Sequence, residues 1–401
     1  FMLNGNTMQA DGKNLALVYI GDNSGCSHVR LRYNAMYFCG IDTGVTPIVM
    51  PIFTFDPNIL AHCKSIIFQR PVSPLHVDIV KRYKALQPKY GYKMVFEIDD
   101  LIFKTGLGPA DKEDGIPSYN LSSQHINVES IHNCLKEVVP LMDLIVVSTD
   151  YLKKAFEKVF GANNVMTIKN VVPRYLWNYP RKSDITEDLK KPKVIYSGSP
   201  THYINPVPPR APSPQEPQGF PGIAGKRGDW NTALCDWVIK NVKEDKIDFV
   251  CMGALPFFWE PIKDKIKFVP WANSQTFPRL FQEQMADFSI ASIVDNEFNK
   301  CKSALRFTEA CATGAVFIGT VFKDNDDSPY REIHPECKYY DNWTVDQIDE
   351  MFWKLCKKEK FNEIRNWQYN QCNQSDFWLE SSCHMNQWLN MLDSKDTSQF
   401  I

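Results

Sequence analysis

Residues Asn296 to Gly319 read NEFNKCKSALRFTEACATGAVFIG, and this stretch is the most informative about the fold. It predicts a polar loop, a helix that opens near Ser303, a glycine at position 314 that ends the helix, and a buried strand over Val316–Gly319. A loop, a helix and a buried strand in this order are typical of the repeating unit of a parallel α/β sheet. The stretch therefore predicts an α/β protein.

The same stretch carries residues suited to a phosphorylated ligand. Ser303 is expected near the N-cap of the helix, where backbone N–H groups are free to bind an anion. Lys302 beside it, and Arg306 one turn later, suit a diphosphate that gains charge as it leaves. Glu309 is placed to accept the two hydroxyl protons of a ribose, and Asn299 joins them from the loop. The alternative is a solvated helix face with ordinary salt bridges.

These residues resemble those of the group-1-like glycosyltransferases, whose GT-B fold has two Rossmann-like domains facing a central cleft. The segment RFTEACATGAVFIGT is similar to the family signature, with Glu309 at the position of the ribose-binding glutamate. The resemblance implies a nucleotide-sugar donor, UDP-sugar first, and no required cofactor. The family's E-x7-E pair would place an acid at position 301, where Cys301 stands. Retaining and inverting stereochemistry therefore both stay open.

Outward from this stretch, short apolar runs alternate with amphipathic ones, as in parallel sheets covered by helices. The predicted strands are Asn14–Ile20, Pro47–Met50, Ser65–Phe68, Lys93–Glu97, Leu144–Val147, Val165–Ile168, Lys193–Tyr196, Asp248–Met252, Lys265–Phe268, Asp287–Ile293 and Val316–Gly319. The predicted helices are Leu75–Leu86, Val128–Val139, Tyr151–Phe160, Thr232–Val242, Phe277–Met285 and Ser303–Ala312, followed by a helical C-terminal region.

The alternation of predicted strands and helices along the chain, together with its length, predicts two domains. Residues 1–180 form an acceptor-side domain, and residues 181–372 form the nucleotide-sugar domain. Residues 373–401 are expected to form a helix that packs back on the first domain. Pro206–Gly228, with seven Pro and four Gly before a helix predicted from Asp229, is expected to be a long surface loop.

Small residues follow two strands of the second domain. Ser197, Gly198 and Ser199 end or follow its first strand, where a glycine-containing turn meets nucleotide phosphates in the resembling family. Gly253 follows its second strand and leaves room for a base or ribose. All four are assigned to nucleotide-sugar binding.

Three acids mark the end of a strand in the first domain, in the run KMVFEIDDLIF from Lys93. Glu97 and Asp99 are expected on one side and Asp100 on the other. Clustered carboxylates raise one another's pKa and supply a general base for an acceptor hydroxyl, so these three are the candidate catalytic residues. The alternatives are metal binding, which their distance from the presumed diphosphate disfavours, and local capping.

Two further segments are assigned to the acceptor side. The glycine-containing turn after the first strand provides Gly25, His28 and Arg30, although it lacks the G-x-G-x-x-G spacing of a dinucleotide site. Gln69 and Arg70 end another strand of the same predicted sheet. For His28, a purely structural role is the alternative.

Composition narrows the class of protein. Among 401 residues, 45 Lys and Arg nearly balance 47 Asp and Glu, so the overall charge does not indicate nucleic-acid binding. The 12 cysteines include no C-x-x-C, which argues against zinc and for a reducing cytoplasm, the host's if the protein is phage-encoded. No apolar run long enough for a membrane span and no signal-peptide pattern is present. We expect a monomeric cytoplasmic protein, for which a divalent metal is possible but not implied.

The acceptor depends on the resemblance alone. VFEIDDLIF together with the 296–319 stretch is similar to glycosyltransferases of T-even-like phages, which implies 5-hydroxymethylcytosine in double-stranded DNA as the acceptor. A transferase of surface polysaccharide or glycolipid is the alternative enzyme. A two-domain binding protein for a small ligand is the alternative without catalysis, and an NAD-dependent oxidoreductase lacks its fingerprint.

Overall fold

A computed structural model describes residues 13–21, 25–41, 44–105, 127–177, 183–199, 202, 229–322, 327–374 and 377–393. The chain divides into two compact units. The first contains the described residues of Phe1–Lys104, Val128–Asn170 and Leu379–Ile401, and the second those of Thr105–Asn127 and Val171–Trp378. The proline-rich insertion predicted at 206–228 lies outside the described residues.

The first unit is built on a six-stranded parallel sheet in the order β2-β1-β3-β4-β5-β6. Its strands are β1 Leu15–Tyr19, β2 Thr46–Met50, β3 Cys63–Gln69, β4 Lys93–Ile98, β5 Leu144–Val147 and β6 Val165–Thr167. β1 lies between β2 and β3, so Val18 pairs with Val49 on one side and Ile67 on the other. The central strands are buried because parallel strands are covered on both faces.

Helices cover this sheet, and local sequence sets their ends. They are Gly25–Ser27, a π-helical turn His28–Arg32, Tyr33–Cys39, Pro74–Tyr90, Val128–Val138, Asp150–Phe160 and, from the C-terminal region, Ser382–Asp393. Thr149 caps Asp150–Phe160 by accepting a hydrogen bond from the backbone N–H of Leu152, and Gly161 ends it in a left-handed conformation. Trp388 and Met391 of the last helix are buried in the same core as the first sheet's strands.

The second unit has its own six-stranded parallel sheet, in the order β12-β11-β10-β7-β8-β9. Its strands are β7 Lys193–Gly198, β8 Asp248–Gly253, β9 Lys267–Pro270, β10 Phe288–Ala291, β11 Val316–Val321 and β12 Lys338–Tyr340. Its helices are Arg174–Trp177, Thr232–Lys243, Phe277–Glu283, Glu297–Lys300, Leu305–Thr313, Val345–Leu355 and Lys358–Gln374. A core containing the fully buried Trp237, Trp259 and Tyr196 packs against the sheet.

The α/β class with two Rossmann-like sheets is confirmed, and four local expectations in the second unit are wrong. β9 begins two residues later than predicted, and β12 was not predicted at all. The helix predicted from Asp229 begins at Thr232 because Asn231 caps it, so Asp229 is not helical. The helix expected from Ser303 begins at Leu305, and its N-cap residue Ala304 has no side chain that can cap it. Within the described ranges, no helix is long and apolar enough to cross a membrane.

Candidate functional site

The strand order of the second sheet reverses between β7 and β10, which lie side by side at its centre. In open α/β sheets, the carboxyl ends of strands at such a reversal form a crevice that binds ligands. β7 and β8 both end in glycine there, and Gly198 pairs with Gly253. A side chain on Gly253 would overlap the carbonyl oxygen of Gly198, and the φ of Gly253 is +103°. At the carboxyl ends of β7 and β8, the two glycines therefore leave a strip of backbone without side chains.

Arg306 lies beside this strip of backbone. It is the second residue of Leu305–Thr313, its guanidinium lies 5.4 Å from the centre of the Tyr196 ring, and its Nη2 would lie 3.1 Å from a Cβ on Gly198. Burial opposes its charge, but Tyr196, Tyr330 and Asp229 outweigh this effect and raise its pKa. Among the residues that the structure describes, Arg306 forms no hydrogen bond and no ion pair. A partly buried cation in this state is suited to an external anion.

Lys302 belongs to a neighbouring cluster with His202 and Asp229. The Nζ of Lys302 lies 3.4 Å from Nδ1 of His202, and the same Nδ1 lies 3.0 Å from Oδ2 of the fully buried Asp229. Burial, followed by the charges of Lys302 and Arg306, lowers the pKa of His202 to about 3. His202 is therefore neutral near pH 7, and Lys302 and Arg306 together exceed the single charge of Asp229.

Asn299 and Asp229 hold this cluster together. Asn299, which is fully buried, donates a hydrogen bond of 2.7 Å from Nδ2 to Oδ1 of Asp229. The backbone N–H of Asp229 donates to the carbonyl of His202 at 2.8 Å. The structure thus gives Asn299 a supporting contact to Asp229. His202 and Asp229 were not identified from the sequence, because they are 27 positions apart and no spacing signals their contact.

Glu309 stands one turn after Arg306 and is partly buried. Burial raises its pKa to about 8, although the charge of Arg306 works in the opposite direction. It forms no hydrogen bond to another described residue. The carboxyl group is therefore mostly protonated near pH 7, so one oxygen can accept a hydrogen bond from a ligand hydroxyl while the other donates one, and not both accept as the sequence predicted.

The remaining residues assigned to nucleotide-sugar binding lie at the same carboxyl edge. Ser197 is in β7 directly before Gly198, and Ser199 follows the strand, where its carbonyl accepts a hydrogen bond from the backbone N–H of His202. Ser303 precedes the helix instead of capping it. The N-cap residue, Ala304, makes no side-chain hydrogen bond to the first turn.

In the first unit, Glu97 belongs to a closed ion-pair network. Arg30 donates from Nε to Oε1 of Glu97 at 2.6 Å, and Gln69 donates from Nε2 to Oε2 at 2.9 Å. Arg30 also donates from Nη1 to the carbonyl of Ile168 and to Oδ1 of Asn170. Arg30 and Glu97 are both almost completely buried, at 2% and 1% exposure. Neither side chain is accessible to a substrate in this conformation.

Asp99 and Asp100 share one arginine. Arg70, whose φ of +48° is left-handed, donates from Nη2 to Oδ1 of Asp99 and, at 2.9 Å, to Oδ2 of Asp100. Burial works to raise the pKa of Asp99, but Arg70 and Arg30 outweigh it and lower that pKa. Asp99 is 7% exposed and Asp100 29%, so only Asp100 presents its carboxylate to solvent to an appreciable extent.

A cation would find ligand atoms here, but Arg70 already compensates part of the negative charge. Cys26, Asp99 and Asp100 bring a sulfur and two carboxylate oxygens within 4.8 Å of one another. Because Arg70 binds both carboxylates, the group fits a divalent metal poorly. Of the other acceptor-side residues, Gly25 begins the helical segment after β1, and the His28 ring lies 5.6 Å from that of Tyr33.

Comparison with known structures gives a likeness of fold. A structure of TarM matches with a TM-score of 0.50 and 12% identity, over 82% of this chain and 55% of that chain. This chain thus spans little more than half the length of TarM. Together with the two parallel sheets, the match identifies the fold as GT-B. No family model and no curated protein matches the sequence.

Weaker likenesses have lower TM-scores. A point mutant of S. aureus TarM, solved with fondaparinux, alpha-GlcNAc-glycerol and UDP, matches at 0.47 with 13% identity over 80% of this chain and 59% of that chain. The S. aureus MnaA–UDP structure matches at 0.44 with 9% identity, over 94% of this chain and 95% of that chain.

Proposed function

We propose that this protein is a glycosyltransferase that moves a sugar from a UDP-sugar to a hydroxyl acceptor. The observation that carries the proposal is the partly buried Arg306, which has no hydrogen bond or ion pair among the described residues and stands at the end of β7. An enclosed positive charge of this kind is suited to a diphosphate, and its effect grows as the leaving diphosphate gains negative charge.

Each neighbour has a role in this reaction. Lys302 adds a second positive charge. Asp229, which accepts a hydrogen bond from Asn299, supports the cluster of Lys302 and His202. Glu309 forms hydrogen bonds with the hydroxyl groups of the ribose. The bare backbone of Gly198 and Gly253 lets the nucleotide approach closely. The uridine nucleotide is the donor that the family resemblance implies.

For the acceptor hydroxyl, the candidate base narrows from three acids to Asp100. Glu97 is saturated by Arg30 and Gln69, and Asp99 is nearly buried with a lowered pKa. Asp100 is the most exposed of the three and keeps part of its carboxylate open to solvent. In an inverting reaction Asp100 takes the acceptor proton; in a retaining one it orients the acceptor.

The acceptor we propose is 5-hydroxymethylcytosine in double-stranded DNA, on the resemblance to the phage enzymes. The described basic residues add no argument for it. Lys191, for example, forms ion pairs with Asp245 and Asp248. A polysaccharide acceptor is therefore the second arm of the experiment.

The test measures release of UDP from a panel of UDP-sugars, with duplex DNA containing 5-hydroxymethylcytosine, with bacterial surface polysaccharide, and with neither. Release that rises only with the modified duplex supports the DNA acceptor, and release that rises only with polysaccharide replaces it. Arg306→Ala should lower turnover about 10²- to 10³-fold, because it removes charge stabilisation of the leaving group. Arg279→Ala, at an exposed arginine of the same unit, is the matched control. Absence of UDP binding together with no release from any donor contradicts the proposal.

A further inference from the structure

Trp271 directly follows β9 at the carboxyl edge of the second sheet, and its side chain is exposed to an unusual degree. Its exposure is 64%, in a unit that buries Trp237 and Trp259 almost completely. No aromatic ring of the described residues stacks on it. An exposed indole leaves a large apolar surface in water, and packing of the core does not explain it.

The position of this indole relates it to the diphosphate site. Cε3 of Trp271 would lie 3.4 Å from a Cβ on Gly253, and Nη2 of Arg306 would lie 3.1 Å from a Cβ on Gly198. The two glycines are paired in the sheet, and the N–H of Ala254 donates to the carbonyl of Gly198 at 3.2 Å. The same strip of bare backbone therefore has a cation beside one glycine and an indole beside the other.

A nucleotide has this pairing of chemistries, since a planar aromatic base and an anionic phosphate group are joined by a short spacer. A free phosphate would use Arg306 and Lys302 and would leave the indole without a role. An apolar ligand would use the indole and leave the cation uncompensated. A nucleoside diphosphate satisfies both groups at once.

We propose that the indole of Trp271 stacks on the base of the nucleotide whose diphosphate Arg306 binds. The inference rests on the proposed function and adds to it the residue that holds the base. Stacking on an aromatic side chain depends on the π-face that every base has. Trp271 therefore contributes affinity for the nucleoside part of the donor, and Arg306 contributes affinity for its phosphates.

The experiment measures dissociation constants of UDP, UMP and pyrophosphate by calorimetry for wild type, Trp271→Ala, Trp271→Phe and Arg306→Ala. Trp271→Ala should weaken UDP and UMP by about 10- to 100-fold and leave pyrophosphate unchanged. Trp271→Phe should recover most of the loss, because a phenyl ring also stacks. Phe268→Ala, at another exposed aromatic of β9, is the control and should leave all three constants unchanged.

The outcomes separate this inference from the function on which it rests. Weakening of UDP by Arg306→Ala with an unchanged constant in Trp271→Ala overturns the stacking alone. Equal weakening of UDP and pyrophosphate by Trp271→Ala also overturns it, since that pattern is one of general damage to the site. A wild-type protein that binds neither UDP nor pyrophosphate contradicts both proposals.

Discussion

The carboxyl edges of the two sheets both carry arginines, and the two units treat these arginines differently. In the first unit, Arg30 is matched by Glu97 and Arg70 by Asp99 and Asp100. In the second, Arg306 has no ion pair among the described residues. Each arginine lies close to the strand ends of its own sheet, so position in the fold does not distinguish them.

Charges that stabilise a structure are thus distinguished from charges that bind a ligand by their partners within the chain. A buried ion pair with saturated hydrogen bonds favours folding only as a complete pair, and loss of one partner is costly. A partly buried cation that neighbouring groups stabilise without an ion pair keeps its charge available, and an anion that binds beside it completes the pairing. The degree of compensation within the chain is therefore more informative than the residue type.

The comparison predicts its largest effect for one substitution made in both units. Arg30→Met leaves Glu97 buried without its cation and should lower the free energy of unfolding by about 3–5 kcal/mol. Arg306→Met removes a cation without an ion pair and should change that free energy by less than about 1 kcal/mol. Urea unfolding followed by circular dichroism measures both. Equal destabilisation by the two variants would show that Arg306 is structural.

A second pair of variants separates the roles of Asp99 and Asp100 in the first unit. Asp100→Asn should lower turnover by about 10²-fold or more while leaving the melting temperature nearly unchanged, as expected for an exposed general base. Asp99→Asn weakens a nearly buried charged hydrogen bond and should lower stability by about 1–3 kcal/mol. Steady-state rates against pH and thermal melting distinguish them. An unchanged pH–rate profile in Asp100→Asn would remove the role as a base.

The last prediction concerns Glu309 and pH. Its pKa of about 8 in the folded protein lies above the ordinary value of 4.5, so the folded state holds its proton where the unfolded state has lost it. Wild-type stability from this group is full below about pH 4.5 and is lost as the pH rises toward 8. Glu309→Gln should remove that loss, so its stability relative to wild type should rise across this window. Parallel stability curves for the two proteins would contradict the raised pKa.

Much of the fold could be predicted from the sequence because its signals are local. Eleven of the strands produce apolar runs bounded by turn residues, and the prediction for Leu144–Val147 matches β5 residue for residue. β12 was missed because Lys338–Tyr340 has only three residues and no alternation long enough to recognise. The helix at Leu305 was placed too early because Ser303 has a strong capping preference that the structure does not use.

The site was less predictable, since its chemistry depends on contacts that are distant in sequence. The sequence identified Glu97 as an acid at a strand end, but only the fold reveals Arg30, 67 positions away, as its partner. His202 and Asp229 carry no motif and meet only because the chain returns to the same strand end. Conversely, the 296–319 stretch suggested that Lys302, Arg306 and Glu309 lie near one another, because one loop and one helix carry them all.

The bond between the backbone of Asp229 and the carbonyl of His202 has a practical consequence for protein engineering. The N–H of Asp229 and the carbonyl oxygen of His202 are distant in sequence and lie 2.8 Å apart. When both ends of a connection are fixed in this way, the free energy of closing it changes only slowly with its length. We therefore expect a change in the number of residues between His202 and Asp229 to cost little free energy of folding.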